Sequence, residues 1–261
     1  MCIIQGDVLE VTSTKIFVAP LQDGQRQLTV YSNKVSMDKA GGAMILPFPQ
    51  GAGCELVDLS AYTDLFTHLD LLCWPQVKSR SIQSYSLSAV RDSMLEVKQS
   101  GSYKASIVPE LKDLSRINPS VFSVNPKVRE FLREKYPTGY GFVVCQLDKN
   151  KEYHPFGYIH SLILPSQQIF IPTMHYHTHI MGYEHDEKGS EPSADWDHDI
   201  YTLNTPLEFV PSRSRNTLNK QPVINRLRME KLPAEVVTPQ TVYAYKINDY
   251  TENHDLCCVK C

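Results

Sequence analysis

The chain has 261 residues, of which 42% are hydrophobic and 21% charged, a composition that supports a buried core and excludes a largely disordered or collagen-like polymer. Lys+Arg 26 against Asp+Glu 29 leaves a formal charge of −3, so dedicated nucleic-acid binding by phosphate neutralisation is not expected. The sequence opens without a basic leader and apolar stretch, and no apolar run approaches the roughly 18 residues of a spanning helix, so a cytoplasmic protein with no membrane span is expected.

At the N-terminus, Cys2 becomes the first residue if Met1 is removed. A terminal thiol beside its own amine is the arrangement of N-terminal-nucleophile amidohydrolases, and the strand-like run from Ile3 to Phe17 suits that alternative. Thr14 to Ala19 and Gln27 to Asn33, rich in β-branched and aromatic residues, predict a hairpin turned by Asp23-Gly24. Ala43 to Leu46 predicts a strand that stops at Pro47 and Pro49, which lack ladder donors. Leu65, Phe66, Leu69 and Leu72 recur at helical spacing and predict a helix over 61–72. Residues 86–98 fit a helix or a strand equally.

Further on, Tyr103 to Val108 reads as a strand ended by Pro109, and Leu111 to Ile117 as a short helix. Asn125 as cap and Pro126 in the first turn predict a helix to Tyr136. Short strands are expected at Gly141 to Leu147, Gly157 to Leu164 and Gln168 to Ile171, a helix at Gln221 to Lys231 and a late strand at Gln240 to Ile247. Strands and helices do not alternate as βαβ units would, so the expected class is α+β, predominantly antiparallel β with a few peripheral helices. One globular domain over 1–261 is expected, its C-terminal tail frayed from about 250. Seven cysteines, an odd number spread along the chain, read as free thiols in a reducing compartment.

The chemistry-bearing residues cluster late. On a strand, His175, His177 and His179 share one face, and neighbours two apart lie roughly 6.6 Å from each other, close enough for two imidazoles to meet one ion. Asp195, Asp197 and Asp199 alternate with Trp196, His198 and Ile200, so either the aspartates or His198 can face that site, not both. The reading predicts a divalent transition metal, zinc ahead of iron or manganese, held by His175, His177 or His179 with Asp195, Asp199 or His198. Glu184 or Asp197 would serve as general base for a metal-bound water, which makes a metal-dependent hydrolase the leading expectation.

His177-x-His179 followed by Glu184 resembles the first metal-binding motif of cupins across eight residues, which implies a β-barrel alternative. The glycine expected ahead of the histidines is Ile171 here, and no second cupin motif follows. Arg213, Arg215, Lys220, Arg226, Arg228 and Lys231 stand against Glu230 alone, so an anionic small molecule or an acidic protein surface is the expected partner. The alternative is a non-enzymatic structural or interaction subunit, with the histidines as a hydrogen-bonded network.

Overall fold

The computed structural model describes residues 3–39, 41–51, 53–74, 95–148, 154–163, 168–177, 193–207, 217–222 and 227–258. The strands are β1 (Ile3–Gln5), β2 (Val8–Pro20), β3 (Arg26–Met37), β4 (Gly42–Pro49), β5 (Cys54–Val57), β6 (Lys98–Ser100), β7 (Tyr103–Val108) and β8 (Tyr140–Leu147). They continue as β9 (Phe156–Ser161), β10 (Ile169–Ile171), β11 (Tyr176–His177), β12 (Ser193–Leu203), β13 (Thr217–Pro222), β14 (Thr241–Glu252) and β15 (Leu256–Cys258). Among the described residues two α-helices, α1 (Leu65–Cys73) and α2 (Pro126–Lys135), accompany them.

The protein is β-rich, with mixed sheets. One sheet runs β13-β14-β12-β2-β3-β9-β5, a second runs β11-β1-β4-β8-β7-β6, and β10 pairs with β15. Among the described residues the ladders are antiparallel except β1 with β11 and β2 with β12. Alternation along each strand sorts side chains between two faces. Ile16 and Val18 of β2 join Ile4, Met44, Leu46 and Val143 of the other sheet in a core between the sheets. Phe17 and Ala19 point the other way, where Leu65, Leu69 and Leu72 of α1 cover them. On the far face of the second sheet, Ala43, Ile45 and Val144 meet Val128, Phe131 and Leu132 of α2. Because both faces of β4 are covered, all eight of its residues are buried, as expected for a strand with no wet side.

The hairpin forms at Asp23-Gly24, where Gly24 takes a φ of 71° that suits glycine and the Asp23 carboxylate accepts the N–H groups of Gln25 and Arg26. Asn125 caps α2 by accepting the Lys127 N–H at 2.9 Å. β4 runs on through Pro47 and Pro49, where a stop was expected. Among the described residues its neighbour β1 pairs with β4 only as far as Ile45, so no described ladder on that flank needs the missing proline donors. The 61–72 helix divides into a 3-10 turn at Ser60–Tyr62 and α1, and Leu111–Arg116 is 3-10 helix. Of the helix expected at Gln221 to Lys231, the first two residues end β13, where β14 offers Thr217 to Pro222 a partner edge, Met229–Lys231 is a 3-10 turn, and 223–226 lie outside the described residues. In the C-terminal tail, Leu256–Cys258 pairs antiparallel with Ile169–Ile171. Residues 75–94, on which the undecided 86–98 segment mostly falls, lie outside the described residues. Among the described residues, no helix is long and apolar enough to cross a membrane.

Candidate functional site

The histidine segment enters the fold in pieces. β11 contains only Tyr176–His177, with His177 opposite Ile4 of β1. Just before it, Asn253 grips the backbone of His175 on both sides: its Oδ1 accepts the His175 N–H at 2.7 Å and its Nδ2 donates to the His175 carbonyl at 2.9 Å. Asp255 makes a second node. One carboxylate oxygen accepts the Thr173 and Met174 N–H groups at 2.8 and 2.9 Å, and the other accepts the Tyr136 hydroxyl at 2.6 Å. Burial pushes the Asp255 carboxyl above its ordinary range, against the pull of the Tyr136 hydroxyl and the two N–H groups.

On β12 the alternation resolves in favour of His198. That residue is wholly buried, its ring centroid 5.3 Å from His175, and His175 lies 5.9 Å from His177. Burial drives the His175 imidazole well below its ordinary pKa, with His177 adding to the effect, so His175 is neutral at physiological pH. Asp199 turns to the α1 side, 3.6 Å from Lys15 and 3.7 Å from Lys246. Burial raises its carboxyl, and the two lysines hold it back. Lys15 also pairs with Asp70 of α1 at 2.5 Å, and the Tyr201 hydroxyl donates to the other Asp70 oxygen at 2.5 Å. Asp197 accepts the Ser13 N–H at 2.7 Å, where β2 shifts register and Ser13 adopts a φ of 56°.

The structure therefore brings His175, His177 and His198 together and sends Asp199 to the opposite face of the sheet. Asp195 lies on β12 opposite Tyr250, while His179 and Glu184, and with Glu184 the cupin-like motif, fall outside the described residues. Among the described residues no group of three or more His, Cys, Asp or Glu side chains is placed to hold a metal ion, which overturns the metal-dependent hydrolase and metal-binding reading. The period of two keeps Asp199 out of the histidine group, because a strand cannot aim Asp199 and His198 at one point. Asp197, offered as a general base, is bonded to a backbone N–H on β2. Cys2, the amidohydrolase nucleophile, is outside the described residues.

His160 closes a buried hydrogen-bonded chain. The side chain of Gln27 donates to the Phe170 carbonyl at 2.7 Å and to Thr29 Oγ1 at 2.8 Å, Thr29 Oγ1 meets His160 Nε2 at 2.8 Å, and His160 Nδ1 meets the Ser161 carbonyl at 2.8 Å. A neutral imidazole protonated on Nδ1 satisfies every link. Burial lowers its pKa to about 4. In the basic stretch, the Arg228 N–H donates to the Tyr62 hydroxyl at 3.0 Å and Lys231 lies 5.6 Å over the Tyr62 ring, so both pack against the 3-10 turn ahead of α1. Arg213, Arg215 and Arg226 lie outside the described residues, and Lys220 is a strand residue on β13.

A different feature escaped the sequence reading: a cleft of about 540 Å³ between α2, the 3-10 turn at Leu111–Arg116 and the turn into β8. Arg129 and Arg133 line it from successive turns of α2. Their spacing was visible in the sequence, but the apolar face of the same helix dominated its interpretation.

No family model matches the chain. The fold is similar to the crystal structure of baculovirus P35, at 12% identity and a TM-score of 0.48 over 99% of each chain. P35 in the caspase-8/P35 complex matches at 12% identity and a TM-score of 0.46, over 95% of this chain and 96% of that one. Both scores fall under 0.5, so the likeness decides nothing about the chemistry of this chain.

Proposed function

We propose that this chain is a non-enzymatic interaction protein of the cell interior, which acts by presenting its surface to another protein. The observation that carries the reading is where the residues that looked chemical end up. His160 and Asp199 are engaged in a hydrogen bond and ion pairs that join neighbouring strands, Asp255 ties the turn before β15 to residues 173–174 and to Tyr136 at the end of α2, and His198 is walled in between the sheets. Such groups give a β-rich body a fixed shape. Cys54, Cys73 and Cys257 are free thiols whose pKa values burial raises, to about 12 for Cys73 and about 11 for Cys257. They are therefore protonated at neutral pH and poor nucleophiles, and unpaired thiols suit a reducing compartment.

The test has two arms. Purified full-length protein is assayed against phosphate and carboxylate esters, and in parallel its cellular contacts are mapped by cross-linking and mass spectrometry. The expected result is no turnover that follows the protein through purification, together with a reproducible cross-linked protein partner. Turnover that follows the protein and falls in His198→Ala overturns the proposal, as does a chain that cross-links to nothing. Caspase-8 serves as the first purified probe because it is the partner in the P35 complex; the support for the reading lies in this chain's own residues.

A further inference from the structure

The cleft beside α2 holds more cations than acids: Arg129, Arg133 and Lys112 line it with Glu110. Lys112 and Glu110 face each other at 2.6 Å on its rim and neutralise one another. Arg129 and Arg133 have no carboxylate at ion-pair distance among the described residues. The Arg129 guanidinium is half-buried and rests on two long bonds, Nε to the Val124 carbonyl and Nη2 to the Leu114 carbonyl, each 3.4 Å. These use two of its five donors and fix its direction. Arg133, one helical turn on, is exposed. Leu111, Leu114 and Pro137 supply apolar wall, and Gly139, with a φ of 78° and open space where a Cβ would stand, keeps one end clear.

We propose that this cleft binds an extended acidic segment of a partner protein, with Arg129 and Arg133 each taking a carboxylate. The spacing supports it. Side chains at i and i+4 of a helix have Cβ atoms about 5–6 Å apart. On an extended peptide, residues two apart share a face at roughly 6.6 Å. Two acids separated by one residue thus match the two guanidiniums, whose planar forks suit bidentate carboxylate bonds. The volume is large for a single inorganic anion and lies in the range of about 300–1,000 Å³ typical of built ligand sites. The apolar wall gives the residue beside the acids something to bury.

The inference rests on the protein-binding reading and deepens it by naming the partner's chemistry. It is tested on the full-length chain by fluorescence anisotropy with a fluorescein-labelled, terminally blocked peptide having an Asp-Leu-Asp core, at low salt. Saturable binding tighter than about 1 mM is expected, at least tenfold weaker for Arg133→Gln and for an Asn-Leu-Asn peptide. Arg133 is exposed, so Arg133→Gln leaves the melting temperature in place. Arg129→Gln, which also loses two carbonyl contacts, is judged by binding only if its melt is intact. Binding unchanged in Arg133→Gln overturns the inference. So does no binding, or inorganic phosphate binding as tightly as the peptide, which marks a simple anion site. A cross-linked partner that persists in Arg133→Gln while the peptide fails to bind removes the cleft and leaves the protein-binding reading standing.

Discussion

The seam around His160, His175, His198 and Asp255 and the cleft beside α2 are both rich in polar groups, yet they sit at opposite extremes of use. In the seam, the Asp255 carboxylate is half-buried and the His160 imidazole wholly buried, and both are bonded to backbone or hydroxyl groups of neighbouring segments. In the cleft, two guanidiniums stand at an open surface without acidic partners among the described residues. A density of histidine and aspartate along the chain thus marks a site of cohesion here, and the groups left for binding are two arginines in an unremarkable helix. The contrast predicts that seam substitutions change stability and cleft substitutions change binding.

The largest effect belongs to Asp255→Ala. It strands two buried N–H groups and the Tyr136 hydroxyl, each worth about 1–3 kcal/mol when left unsatisfied, so a loss of roughly 3–5 kcal/mol is expected in denaturant unfolding. Asp255→Asn keeps an acceptor for Thr173 and Met174 and should lose far less. The raised carboxyl pKa means the folded state holds that proton more tightly than the unfolded chain, so its contribution is greatest in acid and falls as pH rises. The stability of Asp255→Asn relative to the native protein should therefore improve from acid to neutral pH. If alanine and asparagine are equally harmful, the node is not held by hydrogen bonds.

His160 comes next. Its folded pKa of about 4 lies below the ordinary 6.5, so the unfolded chain takes up the proton first and stability falls as pH drops through that window. The loss is on the order of 3 kcal/mol across the window, read from unfolding curves at a series of pH values. His160→Gln should flatten that part of the profile; an unchanged profile would place the titration elsewhere. Asn253→Ala, which frees both backbone groups of His175 in a half-buried setting, should lower stability by about 1–2 kcal/mol. Smallest is Arg133→Gln, within about 0.5 kcal/mol by thermal melt. A larger fall there would place Arg133 with the seam, as a structural residue.

Local signals were legible where local physics decides the outcome. The Asp23-Gly24 hairpin and the Asn125-Pro126 start of α2 are set by a few adjacent residues, and both appear where the sequence puts them. So does the conflict on β12 between His198 and the aspartates, since a strand offers only two faces. The choice between the faces was not legible, because it depends on which side of β12 meets the other sheet and which meets α1. Residues 217–222 became β13 because β14 lay beside them, a fact no window around 221–231 contains. The order of the tail has the same origin: Asn253 and Asp255 acquire meaning only against residues 173–175, about 80 positions earlier. The cleft needed three separate segments to be assembled before its cations could be seen as unpaired.

The parallel pairing of β2 with β12 also bears on how the protein is made. Thr14 to Val18 lie beside His198 to Thr202, so after synthesis of β2 its edge stays bare until roughly 180 more residues have been added. Such late closure predicts slow folding that completes after synthesis, and nascent chains truncated before residue 193 should collect in the insoluble fraction.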